Sequence, residues 1–115
     1  MTNTHAHPHL SPQRIETLLN ALGALGHKKY ADVKSNPKQF GSEARERYEY
    51  VREGHTVRDC TRRLLEDERQ LDYFAKKGKP DPAAYLVQKV IDDTEWDTDP
   101  KRSYPTCQGE LYRLV

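Results

Sequence analysis

Residues 42–76 read SEARERYEYVREGHTVRDCTRRLLEDERQLDYFAK, and the division of this stretch into helices decides the architecture. Ser42 offers a capping hydroxyl, and Glu43 and Glu46 suit the positive end of a helix dipole. Ala44, Tyr48 and Val51 recur at helical spacing, which predicts continuation at 55 and 58. Those positions hold His55 and Arg58. A new apolar seam runs instead through Cys60, Leu64, Leu71 and Phe74. Thr56, with Asp59 three residues later, resembles a capping box in which Asp replaces the usual Glu or Gln. The phase change at Gly54-His55 therefore predicts two helices, about 42–53 and 57–76. One long helix with a local irregularity is the alternative.

Outward from this stretch the pattern stays helical. Ser11-Pro12 is a capping hydroxyl followed by proline at the first helical position. Ile15, Leu18, Leu19, Leu22 and Leu25 then share one face up to Gly26, which predicts a helix over 12–25. Two helical turns over Lys28–Lys34 would bury Tyr30 and Val33 before Asn36-Pro37 turns the chain. Lys79-Pro80-Asp81-Pro82 reads as a loop ending in a cap, and a helix over 82–93 buries Ala83, Leu86, Val87, Val90 and Ile91. Beyond Thr94 the chain is acidic, then proline-containing, without helical period. Residues 109–115 alternate loosely, as a short strand or an extended tail. The fold class is mainly all-α: a small bundle of four to five helices with extended N- and C-terminal tails. Residues 1–10 form a mobile tail, 11–93 the helical domain, and 94–115 an acidic, extended segment packed on it.

Composition agrees with one domain. The chain has 115 residues, too few for two ordinary domains and enough for one core. Its apolar content is thin: Leu, Ile, Val and Phe number 21 of 115. A net charge of only +1 argues against disorder, and seven tyrosines add ring surface to a modest core. Cys60 and Cys107 have no disulfide-framework spacing, so reduced thiols in a cytoplasmic protein are expected. No apolar run suits a membrane span, and residues 1–10 lack the apolar stretch of a signal peptide.

The near-neutral total conceals a dipole along the chain. Residues 27–63 carry ten Lys or Arg against six acids, and 64–100 carry ten acids against five bases. Two candidate contact sites follow. One is the acidic run Asp92, Asp93, Glu95, Asp97 and Asp99 around Trp96, suited to a basic partner surface with Trp96 as buried anchor. Acids at a helix C-terminus oppose the helix dipole, which argues for a purpose beyond solubility. The other is the basic set Lys28, Lys29, Arg58, Arg62 and Arg63, suited to an acidic protein or to nucleic acid. Around Gly54 the chain also reads as a helix-turn-helix, with Arg45–Glu53 as first helix and Val57–Leu65 as the DNA reader. Against that stand Asp59, Glu66, Asp67 and Glu68, which repel phosphates, and a turn from Gly54 to Val57 about two residues short. Solvated pairs four apart, Asp59 with Arg63, Arg62 with Glu66 and Arg63 with Asp67, are the plainer account of that helix.

Chemistry is scarce. The acidic run lacks the spacing and turn glycine of an EF-hand. His5, His7 and His9 alternate in a polar tail with nothing to fix a metal ion, and His55, Cys60 and Cys107 have no ligand spacing. Cys60 reads as a small core residue. No phosphate-cradling glycine loop, nucleophile elbow or HExxH stands in the chain. The expectation is therefore a non-enzymatic interaction module without metal or cofactor: an inhibitor, adaptor or accessory subunit docking on a protein partner. A DNA-binding regulator using Val57–Leu65 is the alternative. Opposite charges on one protomer also favour self-association, and a homodimer would cover apolar surface that a thin core leaves exposed. Salt separates the two readings. DNA binding weakens steeply as salt rises, with a slope near the number of phosphates contacted, and is abolished when Arg62 and Arg63 are removed together.

Overall fold

The computed structural model describes residues 10–104 and 107–115, with the Cys107 side chain excluded. The expected tail at 1–10, with His5, His7 and His9, therefore lies outside the described residues except for Leu10. The chain is mostly helical. Helix α1 spans Pro12–Asn20, α2 Glu43–Tyr48, α3 Val57–Leu65, α4 Glu68–Lys76 and α5 Pro82–Asp97. Four two-residue strands, β1 (Tyr30–Ala31), β2 (Ser103–Tyr104), β3 (Cys107–Gln108) and β4 (Arg113–Leu114), pair antiparallel as β1 with β4 and β2 with β3.

The helix starts are written in the caps. The side-chain oxygen of Ser11 accepts from the Arg14 N–H, that of Ser42 from Arg45, that of Thr56 from Asp59 and that of Asp81 from Ala84. Each satisfies an N–H with no partner inside its helix.

The helix ends depart from expectation, each for a local reason. α1 stops at Asn20 rather than 25, because Gly23 takes a left-handed φ of +57° and the chain tightens into a 3₁₀ turn over Gly23–His27. Leu22 is still buried, so apolar spacing kept the burial while the helix gave way. α2 ends at Tyr48, not 53; Tyr50 and Val51 donate instead to carbonyls three residues back. The expected helix over 57–76 is two helices. Asp67 turns its carboxylate onto the Arg69 N–H at 3.0 Å and accepts the Tyr50 hydroxyl at 3.0 Å, which starts α4 afresh. All four seam residues, Cys60, Leu64, Leu71 and Phe74, are buried. α5 runs past 93 to Asp97, because Thr94 and Asp97 continue the inward stripe of Val87 and Val90.

The two helical turns expected over 28–34 are a strand. The Lys29 N–H donates to the Val115 carbonyl at 2.8 Å, and the Lys29 carbonyl accepts from the Val115 N–H at 2.9 Å. On the other edge the Tyr30 N–H donates to His55, and Gly54, with φ +79°, donates to Tyr30. Pairing on both edges outweighs the weak local helix preference.

α3 lies at the centre, with α1, the 3₁₀ turn, α4 and α5 packed on it. Leu19, Val57, Leu86 and Leu111 are fully buried. The C-terminal tail belongs to this core: Tyr112 is 1% exposed and sets its ring edge-on to Tyr30, centroids 4.9 Å apart. Tyr112→Ala is expected to cost about 3–5 kcal/mol of stability, as for other buried aromatics, measured by urea unfolding. A loss below about 1 kcal/mol would mean that the tail is not part of the cooperative core.

Candidate docking face on α5

Helix periodicity sorts the side chains of α5 into two stripes. Ala83, Leu86, Val87, Val90, Thr94 and Asp97 face the core, and Tyr85, Gln88, Lys89, Asp92, Glu95 and Trp96 form the outer face. The acidic run divides accordingly.

Its inner members are structural. Asp97 is 2% exposed; it takes the Lys38 ammonium at 2.5 Å and the Tyr112 hydroxyl at 3.1 Å. Asp93, one turn earlier, accepts two hydrogen bonds from Arg47, at 2.8 and 3.3 Å. Arg47 is itself buried, and Glu43 lies 3.6 Å from its Nη1. A cavity of about 20 Å³ sits among Tyr30, Lys38, Arg47, Asp93, Asp97 and Tyr112. That is room for one water, far below the hundreds of cubic ångströms of a small-molecule site.

The outer members face solvent. Asp92 is exposed and accepts from the Gln88 amide at 3.0 Å, and Glu95 is exposed beside it. Trp96 keeps 49% of its surface open, with the Arg102 guanidinium 3.2 Å from its ring centroid. Asp99 is half-buried beyond the helix end, where it accepts from the Lys101 N–H and lies 3.6 Å from Arg102.

The basic set gathers at the start of α3, where the Val57 N–H donates to the Lys28 carbonyl at 2.9 Å and Lys29 bridges Thr56, but part of its charge is paired. Arg58 donates to Glu16 of α1 at 2.6 Å and to Asn20 at 3.2 Å, and Arg62 pairs with the other oxygen of Glu16. Arg62, then Arg58, hold the Glu16 carboxyl below its ordinary range. Arg63 reaches only to the His55 ring, at 3.5 Å. The pairs four apart expected along α3 are not formed. Lys28 and Lys29 are exposed just before β1. Between α2 and α3 the connection runs over 49–56, longer than the tight turn of about three to four residues expected there.

Sequence reasoning missed two features. One is a cleft of about 280 Å³ between α4 and α5, lined by Tyr73, Lys77, Lys79, Tyr85 and Lys89, with Glu43 at its edge. The Lys77 ammonium sits 5.3 Å above the Tyr73 ring and that of Lys79 4.4 Å above Tyr85. The run Lys76-Lys77-Gly78-Lys79 between two tyrosines was its available signal. The other is Phe40, 83% exposed and stacked on the Arg45 guanidinium at 3.8 Å. Nothing in its surroundings marks an exposed ring in advance.

Among the described residues no three potential metal ligands come together, and no helix is long and apolar enough to cross a membrane. Cys60 is a free, buried thiol, pushed above its usual titration range by burial; the Cys107 side chain lies outside the described residues. No family model, curated protein or solved structure matches the chain.

Asp97 titrates above the ordinary Asp value of 3.8, because burial outweighs the help of Lys38. The folded chain therefore keeps this proton at pH values where the unfolded chain has released it. Its ionisation weakens the fold as pH rises from 3.8 through the raised value. Lys38→Ala leaves the carboxylate buried without its cation, at an expected cost of about 3 kcal/mol near neutral pH. The deficit shrinks toward about pH 4 as Asp97 takes up a proton. Urea unfolding of both proteins across pH measures this, and a deficit independent of pH would show that the ion pair is not its source.

Proposed function

We propose that this protein is a small non-enzymatic interaction module, an inhibitor, adaptor or accessory subunit, that docks on a macromolecular partner through the outer face of α5. The observation that carries the reading is Trp96, half exposed on α5 beside the exposed carboxylates Asp92 and Glu95. A tryptophan with open surface is the side chain that gains most from burial in a partner's pocket. Carboxylates around it select a basic surface and repel an acidic one. The helix holds all three in place before contact, so little ordering entropy is lost on docking.

The DNA-reading alternative has less support. Arg58 and Arg62, two of the donors it needs, already lie against Glu16. Each would have to leave that carboxylate to reach a phosphate or base edge. Only Arg63 of the proposed reader remains fully exposed, together with Lys28 and Lys29 outside that helix.

The test is capture by tagged wild type and by Trp96→Ala, with and without nuclease, followed by affinity measurement on the captured partner. Trp96→Ala is expected to keep the helical circular dichroism spectrum and lose about 2 kcal/mol of binding, roughly 30-fold in Kd. Undiminished affinity would overturn the assignment of this face, and loss of every partner on nuclease treatment would bring nucleic acid forward.

A further inference from the structure

We propose that the occupant of this face is a second copy of the chain, with the two α5 helices antiparallel about a twofold axis. The inference rests on the docking reading above and names its partner.

The outer stripe of α5 changes sign along its length. Tyr85 in its N-terminal half and Lys89 at mid-helix are flanked by Tyr73, Lys77 and Lys79, with the single acid Glu43, in the cleft shared with α4. Toward its C-terminal end lie Asp92, Glu95 and Trp96, with Asp99 beyond. Among the described residues Lys89 and Glu95 form no ion pair within the chain, so both charges are available. A face that is basic and aromatic at one end and acidic and aromatic at the other complements itself in one orientation. Parallel pairing sets like charge against like. Antiparallel pairing sets opposite charges together at both ends.

The register follows from residue positions. Lys89 and Asp92 lie at equal distances on either side of a point between Val90 and Ile91, and so do Tyr85 and Trp96. A twofold axis passing over that point therefore brings Lys89 against Asp92 of the partner subunit and Tyr85 against Trp96 of the partner subunit, each pair occurring twice. Tyr85 and Trp96 are separated by about 16 Å along the helix at 1.5 Å per residue, so the matched stripe covers most of α5. Because the same patch serves both copies, the contact closes at two and does not grow into a filament.

The test uses the full chain in sedimentation equilibrium from about 1 µM to about 1 mM, the span of weak to moderate association. Wild type is expected to pass from the monomer mass to twice it, and to dissociate as salt is raised. Lys89→Glu alone and Asp92→Lys alone each set like charges face to face twice, and each is expected to raise Kd by at least about 30-fold. A mixture of the two variants pairs opposite charges again, and so does a chain carrying both changes. Both are expected to dimerise near the wild-type concentration. Wild type that stays monomeric over the whole range overturns the twofold pairing, as does a dimer indifferent to both reversals. If Trp96-dependent capture of another protein persists in that case, docking stands with a different partner; if it is lost as well, both readings fall.

Discussion

The buried ion pair between Lys38 and Asp97 joins three parts of the chain that local structure alone would leave apart. Lys38 lies on the irregular segment before α2, Asp97 closes α5, and Tyr112, which donates to the same carboxylate, lies in the C-terminal tail. The Leu111 N–H adds a bond of 2.7 Å to the Asp97 carbonyl, and Arg47 with Asp93 repeats the arrangement one turn earlier. Taking such charges out of water is costly, and their attraction recovers that cost only with good geometry and further hydrogen bonds. Here the donors come from distant segments, so the Asp93 and Asp97 carboxylates meet their partners only when all of them are in place. An apolar core accepts many similar packings, whereas this one specifies a single arrangement.

Much of the fold was legible from caps and apolar spacing. Ser11, Ser42, Thr56 and Asp81 each mark a helix start, because the signal is one side chain acting on an N–H three residues away. Ends were harder. Gly23 and Asp67 break helices inside stretches whose apolar period continues across the break, since packing asks only that Leu22 or Leu71 reach the core. The strand at Tyr30–Ala31 was beyond local reasoning, because its partners are the last residues of the chain and the loop before α3.

The same limit explains the candidate site. Read as an extended acidic run, Asp92 to Asp99 look equivalent. The helical phase that divides them depends on α5 continuing to Asp97, and that depends on Arg47 and Lys38 waiting opposite. Trp96 stood out in the sequence as a lone indole among acids, and the structure leaves half of its surface open. The pairing of Arg58 and Arg62 with Glu16 was not legible, because α1 and α3 bring those side chains together only when the helices pack.

The shortage of apolar residues connects the interior to the surface. With too few Leu, Ile and Val to complete the inner stripe of α5, its last turn is finished by Thr94 and Asp97, and two cations are drawn inward to balance the carboxylates. Lys38 and Arg47 are then no longer available to the outer face. Asp92 and Glu95 remain there near the negative end of a helix dipole, where acids are least comfortable without a cation beside them. The Arg102 guanidinium beyond that end lies over the Trp96 ring and toward Asp99. Charge left uncompensated in this way favours an external cation, and a rigid helix gives that cation a fixed geometry to meet. A docking face can thus arise from the way a modest core was completed, with the inner and outer halves of one acidic run set by the same helical turn.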